Sequence, residues 1–125
     1  MVKQRLLRIL ALLALCGVWL TGCKGGALLT DVSIRPAVIS PNADGSDDIA
    51  ELKYTLTRQS FISIYLLDED GQRHDFRVNQ RRSKGPRTAY FGGVVDDRLL
   101  PDGAYSVVFE ATDEHGRTEV QRLPI

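Results

Sequence analysis

Downstream of residue 49, apolar and polar side chains alternate in short bursts punctuated by Gly, Pro, Asp and Asn. Ala50, Leu52, Tyr54 and Leu56 alternate with Glu51, Lys53 and Thr55, the pattern of a strand with one dry face. Phe61 to Leu67 is apolar on both parities, as expected of a central strand. After the turn Asp68-Glu69-Asp70-Gly71, His74, Phe76 and Val78 alternate with Arg73, Asp75 and Arg77, which predicts a hairpin partner. Thr88 to Val95 returns to strand character through Tyr90, Phe91, Val94 and Val95, with Gly92-Gly93 marking a bulge or a close backbone approach.

The stretch from Leu100 to Gly116 organises the rest. Pro101, Asp102 and Gly103 form a tight turn; Tyr105, Val107, Phe109 and Ala111 share one face, with Ser106, Glu110 and Thr112 on the other. A second turn, Asp113 to Gly116, leads into a last strand from Arg117 to Leu123. Near the start, Val32, Ile34 and Val38, interrupted by Pro36, predict an edge strand, where a missing N–H removes no ladder bond. About seven short strands spaced roughly ten residues apart, with no amphipathic helix, predict one all-β domain, an antiparallel sandwich of Ig-like or fibronectin-III-like type over 31–125.

The leading segment belongs to a different class. Lys3, Arg5 and Arg8 precede an apolar run from Ile9 to Leu20 that is too short to span a bilayer of about 30 Å, which is the pattern of a secretion signal over 1–22. It ends in Leu20-Thr21-Gly22-Cys23, which resembles the bacterial lipobox. That resemblance implies cleavage before Cys23 and diacylglyceryl transfer to its thiol; the competing reading is a secreted chain with a free Cys23. Residues 23–30 would then form a lipidated start and short tether. Localisation at the cell envelope, on a bacterial membrane, is the corresponding expectation.

Charge and cysteine content narrow the picture further. Lys plus Arg and Asp plus Glu each number 16, and loss of Lys3, Arg5 and Arg8 would leave the mature chain mildly acidic, without a nucleic-acid footprint. Cys16 falls in the signal and Cys23 at the lipid site, so the domain is expected to fold without a disulfide.

Several motifs carry a family resemblance. Ser40-Pro41-Asn42-x-Asp44-Gly45-x-x-Asp48, Ile64-Tyr65-x-x-x-Glu69-Asp70-Gly71, Leu100-Pro101-Asp102-Gly103-x-Tyr105 and Ala111-Thr112-Asp113-x-x-Gly116 resemble the Ig-like domain of the flagellar hook-capping protein type. The likeness covers roughly Ile39 to Val120. It departs at Phe91-Gly92-Gly93, where the family has Trp-x-Gly, and at Gly116-Arg117, where it has Gly-Asn. It implies a scaffold or accessory module and no flagellar role. Tyr105 after Asp102-Gly103 also fits the tyrosine corner of such sandwiches, with Val107 in the place of the core cysteine; the alternative is a core ring with a wet hydroxyl.

Candidate chemistry is sparse. Aligned on Gly45 as the sixth position of a calcium loop, Ser40, Asn42, Asp44, Asp48 and Glu51 fall at oxygen-donor positions; Asx turns closing a strand connection explain the same residues without an ion. Calcium is thus the one cofactor to weigh. Arg77, Arg81, Arg82, Lys84 and Arg87 surround an expected basic loop, read either as a solvated surface or as a contact for anionic headgroups. No nucleophile elbow and no paired Cys or His spacing is present; the adjacent carboxylates Asp96 and Asp97 would point apart, and turn chemistry accounts for them. The expectation is a non-catalytic structural or protein-interaction module, bound to the membrane through its lipid and to an envelope protein. No nucleic acid or small-molecule substrate is expected. The alternative is a calcium-stabilised or ligand-binding surface module using the Ser40–Asp48 loop.

Overall fold

The computed structural model describes residues 26–40, 45 and 47–125. Among the described residues nine strands run in order: β1 (Leu29–Arg35), β2 (Ala50–Leu56), β3 (Ser60–Leu67), β4 (Arg73–Arg82), β5 (Gly85–Phe91), β6 (Val94–Val95), β7 (Arg98–Leu99), β8 (Ser106–Asp113) and β9 (Thr118–Pro124). Seven of them make two sheets, β1-β2-β5 and β4-β3-β8-β9, and all pairings are antiparallel. The remaining β6-β7 pair is a two-residue hairpin. The described residues are therefore all-β, an Ig-like, fibronectin-III-like sandwich.

The period-two pattern explains how the layers close. In β2, Ala50, Leu52, Tyr54 and Leu56 are buried; in β3, Ile62, Ile64 and Leu66; in β8, Val107, Phe109 and Ala111. The two inner faces interdigitate, with the Tyr54 and Phe109 rings 5.9 Å apart and Phe76 edge-on to Phe91 at 5.2 Å. Each fully buried Leu, Ile or Phe side chain contributes about 1.5–3 kcal/mol. β3 sits between β4 and β8; Ile62, Ile64 and Leu66 form its buried face, while Phe61 on the other parity is exposed.

Both long hairpins use one device. Asp68 Oδ1 accepts the N–H groups of Asp70 and Gln72, and Asp113 Oδ1 those of His115 and Arg117, while Gly71 and Gly116 hold φ of 78° and 79°. The aspartate satisfies the donors a tight turn leaves over, and the glycine takes the left-handed conformation.

Four boundaries differ from the sequence expectation, the first being that of β1, which ends at Arg35 and leaves Val38 outside it. Leu28 and Leu29 are fully buried and the first strand begins at Leu29, so the folded part starts inside the 23–30 stretch expected as tether. The expected basic loop is mostly strand: Arg81 and Arg82 end β4, Arg87 lies in β5, and only Ser83 and Lys84 lie between. The charged residues hid these strands because β4 and β5 are sheet edges, where both faces tolerate polar side chains. Thr88 to Val95 is not one strand either, because β5 stops at Phe91 and Gly93, at φ 80°, turns the chain into the small hairpin. Asp96 and Asp97 form its tip, both at positive φ, as a two-residue type I′ turn requires.

On the side away from β4 and β5, β1 and β9 are the edges of opposite sheets and are joined by side chains. Glu119 Oε2 accepts the Leu28 N–H at 2.5 Å and the Leu29 N–H at 3.3 Å, and Gln121 Nε2 donates to the Leu29 carbonyl at 2.7 Å. β9 thus places polar residues on its inner face because the backbone of β1 needs partners there.

Candidate functional site

Strand order and register give the sandwich two unlike poles. The chain enters at the first, formed by Leu28, the Thr57–Gln59 connection, Ser83-Lys84 and the Asp113–Gly116 turn. Thr57 fastens the entry segment there, its N–H donating to the Leu28 carbonyl and its hydroxyl to that of Ala27. Arg117 donates to the Gly26 carbonyl at 3.2 Å. Asp113 is buried at this pole and pairs with Arg58 at 3.1 Å. Burial pushes its carboxyl up, but the Arg117 and His115 amides and the Arg58 guanidinium outweigh that, so its pKa lies below the usual carboxylate range.

The opposite pole carries a groove of about 600 Å³, lined by Val38, Ile39, Leu66, Phe91, Leu100 and Ile125 and flanked by Asp102 and Tyr105. That volume lies within the range of ligand-binding clefts. The Tyr105 hydroxyl donates to the Pro101 carbonyl at 2.5 Å, the geometry of a tyrosine corner, and its main chain exchanges both hydrogen bonds with Ile125. Burial pushes the Tyr105 phenol up, and the carboxylates of Asp68, Asp102 and Glu69 add to it. A negative field thus lies beside the apolar groove. Asp68 is in turn held below the usual carboxylate range, first by the His74 ring 3.0 Å away and then by the Gln72 amide. Glu69 accepts the Ala104 N–H at 3.3 Å and ties the β3–β4 turn to the groove wall.

Around this groove the surface is unusually apolar for a pole made of loops. Val38 is 75% exposed, Leu99 59% and Ile49 56%. Their signal was present in the sequence as Val38-Ile39 and Leu99-Leu100, apolar pairs outside any long strand. Alternation places Val38 on the first strand, which in fact ends at Arg35, and Leu99 closes a two-residue strand too short to show a period.

The sequence-derived candidates fall as follows. Cys23, Asn42 and Asp44 lie outside the described residues. Of the calcium set, Asp48 Oδ2 accepts the Gly45 N–H at 2.7 Å, and Glu51 pairs with Lys53 at 2.5 Å on the outer face of β2. The Ser40 N–H closes the loop on the Asp47 carbonyl at 2.7 Å. Among the described residues no three His, Cys, Asp or Glu side chains gather as a metal site. Asp102 and Gly103 line the groove with Tyr105. Arg82 and Arg87 come together with Arg77 at the β4–β5 side of the sandwich, while Arg81 is exposed on the opposite parity of β4 and Lys84 is exposed in the connection.

No protein-family model matches the chain, and no curated protein matches its sequence.

Proposed function

We propose that this chain is a lipid-anchored cell-envelope module, without catalysis of its own, that holds a protein-docking pole at a fixed distance from the membrane. The observation that carries this reading is the opposition of the two poles: the chain enters at one, and the acid-flanked apolar groove opens at the other. Lipid on Cys23 would leave four residues, 24–27, before the clasped backbone of Leu28, a reach of roughly 14 Å. The eight residues of β3 add about 25 Å. The groove would sit within roughly 40 Å of the acyl chains, which suits a partner that is itself part of the envelope.

The chemistry of the groove selects the occupant. Val38, Leu99 and Leu100 offer apolar contact, and Asp68, Glu69 and Asp102 offer negative charge beside it. An extended polypeptide segment carrying alternating apolar and basic side chains complements both features.

Two measurements test the reading. Mass spectrometry of the mature chain from membranes should find a diacylglyceryl group on Cys23, and Cys23→Ala should leave the membrane fraction; an unmodified N-terminus refutes the anchor. A synthetic Lys/Val-alternating peptide should bind the full chain in neutral detergent, and Leu100→Asp should weaken it about tenfold or more by putting an unpaired charge in the groove. Equal binding of a Glu/Val peptide would refute the docking role.

A further inference from the structure

The open side of the sandwich between β4 and β5 holds a second cleft, of about 290 Å³, whose lining includes Arg77, Arg82, Arg87, Gln80, Tyr54 and Thr88. Three guanidinium groups converge here, all half-buried, and none of the described residues lining the cleft is acidic. Their acceptors are all neutral: Arg77 donates to the Phe76 carbonyl, Arg82 to the Arg81 carbonyl and the Gln80 amide oxygen, and Arg87 to the Ser83 carbonyl. None of the three takes part in an ion pair among the described residues. The Arg87 Nε is fully buried and has no hydrogen-bond partner among them. Like charges gathered at half-buried positions without a counter-charge repel one another, so a cluster of this composition is most stable with an anion in it.

The backbone of β4 is bent to make this arrangement. Ile62 pairs with Gln80, Ile64 with Arg77 and Tyr65 with Asp75, so β4 carries an extra residue in each of two consecutive intervals. Asn79 takes φ 46° at the first bulge and its N–H is caught by the Ser63 hydroxyl at 2.9 Å. Without bulges, strict alternation would put Arg77 on the parity opposite Phe76, facing away from the core. With them, both side chains turn inward, and the Arg77 guanidinium lies 3.9 Å over the Phe76 ring. Arg87 arrives from the other sheet, opposite Tyr54 in the β2–β5 register. Burial pushes the Tyr54 phenol up, and the opposing pull of Arg82, Arg87 and Arg77 on it places all three cations within electrostatic reach of one hydroxyl.

We infer that this cleft is an anion site for a phosphate ester, gripped by Arg77 and Arg82 from one sheet and Arg87 from the other. A tetrahedral phosphate presents oxygens in several directions, which suits guanidinium forks arriving from two strands; a planar carboxylate presents two in one plane. The shared chemistry fits a free phosphate ester and a phospholipid headgroup alike. Arg82 and Arg87 stand close to the pole where the chain enters, so either source is within geometric reach.

The test uses the full chain in neutral-detergent micelles, with thermal unfolding followed by near-ultraviolet circular dichroism. Glycerol phosphate at about ten times its dissociation constant should raise Tm by roughly 5–10 °C over chloride at equal ionic strength, and acetate should not. Micelles doped with phosphatidylglycerol, compared with phosphatidylcholine, form the second arm. Stabilisation in both arms means any accessible phosphate ester is bound; in the lipid arm alone, the source is the bilayer; in the soluble arm alone, a free ester. In each case Arg87→Gln and Arg82→Gln should weaken the effect about tenfold, while Arg73→Gln, outside the cleft, keeps it. Variants that fold to the same circular dichroism spectrum keep the comparison valid. No shift in either arm, an equal shift with acetate, or full response in the Arg82→Gln/Arg87→Gln pair overturns the assignment.

Discussion

The clasp between β9 and the entry of the chain makes a quantitative prediction. Glu119→Ala removes the acceptor of two main-chain N–H groups, on Leu28 and Leu29, both fully buried residues. Each buried donor left without a partner costs about 1–3 kcal/mol, and the Leu29 bond at 3.3 Å is the weaker of the two, so a total loss of roughly 2–4 kcal/mol follows. Glu119→Gln keeps a carbonyl oxygen in the same place but gives up the charge, so about half of that loss is expected. Gln121 still holds the Leu29 carbonyl and Thr57 the Leu28 carbonyl, which confines the damage to the entry segment. Urea unfolding should therefore show a lower midpoint with an unchanged slope, and hydrogen exchange should rise at Leu28 and Leu29 well before it rises in β3 or β8. If Glu119→Ala loses less than about 0.5 kcal/mol, or if exchange rises uniformly, β1 is held by its apolar side chains alone and the clasp contributes nothing.

Two further outcomes rest on the hydrogen bonds and buried groups of the same fold. Tyr105→Phe keeps the ring and deletes only the bond to Pro101, so it should cost about 0.5–1.5 kcal/mol, or roughly 4–8 °C in Tm per kcal/mol, with no loosening of Ile125. Stability should also depend on pH at both ends. Asp68 and Asp113 have folded pKa values below their unfolded ones, so their contribution is present above the unfolded value near 4 and disappears as pH falls through the folded values. Tyr54 and Tyr105 are shifted upward, so their contribution is full below about 10 and is lost as pH rises through their folded values. Asp68→Asn should flatten the acid limb of a urea-midpoint profile; an unchanged limb would refute the assignment to that turn.

How much of this was legible in the sequence depends on where a residue sits. β2 matches its alternation from Ala50 to Leu56, because both of its neighbours are strands and one of its faces is wholly dry. The Asp-x-x-Gly turns were legible because their chemistry is local: one carboxylate satisfies amides two and four residues on. β4 was only half legible. Its bulges shift parity between Asp75 and Gln80, so Val78, which alternation puts with Phe76 and His74, is 60% exposed, while Arg77 turns inward. Leu28 and Leu29 were read as tether because their partners, Glu119 and Gln121, lie about ninety residues away, where no local pattern reaches. The groove is non-local in the same sense: Val38, Leu66, Leu100 and Ile125 come from four separate segments.

The polar residues divide the molecule along its length, and register is the cause. Antiparallel pairing puts Arg82 opposite Ser60, Gly85 opposite Leu56 and Thr118 opposite Thr112, which collects Arg58, Arg81, Arg82, Lys84 and Arg117 around the end where the chain enters. The same pairing sends the Asp68–Gly71 turn, the Asp96-Asp97 tip and Asp102 to the far end. The entry pole, although it also holds Asp113 and Glu114, is thereby the more basic of the two, and the groove-bearing pole the more acidic. Near a surface of anionic lipid each basic side chain contributes on the order of 1 kcal/mol, and that attraction decays within about one Debye length, roughly 8 Å at physiological salt. If Cys23 carries the lipid proposed above, a tether of about 14 Å brings the entry pole that close, and the field would then favour the orientation that turns the acidic, groove-bearing pole away from the bilayer. The groove would then be displayed to partners by the charge pattern as much as by the lipid itself. Lys84→Glu together with Arg81→Glu should abolish that orientation in the anchored protein, read as a loss of the distance gap between membrane-quencher accessibility at the two poles. An undiminished gap would leave the tether alone in control.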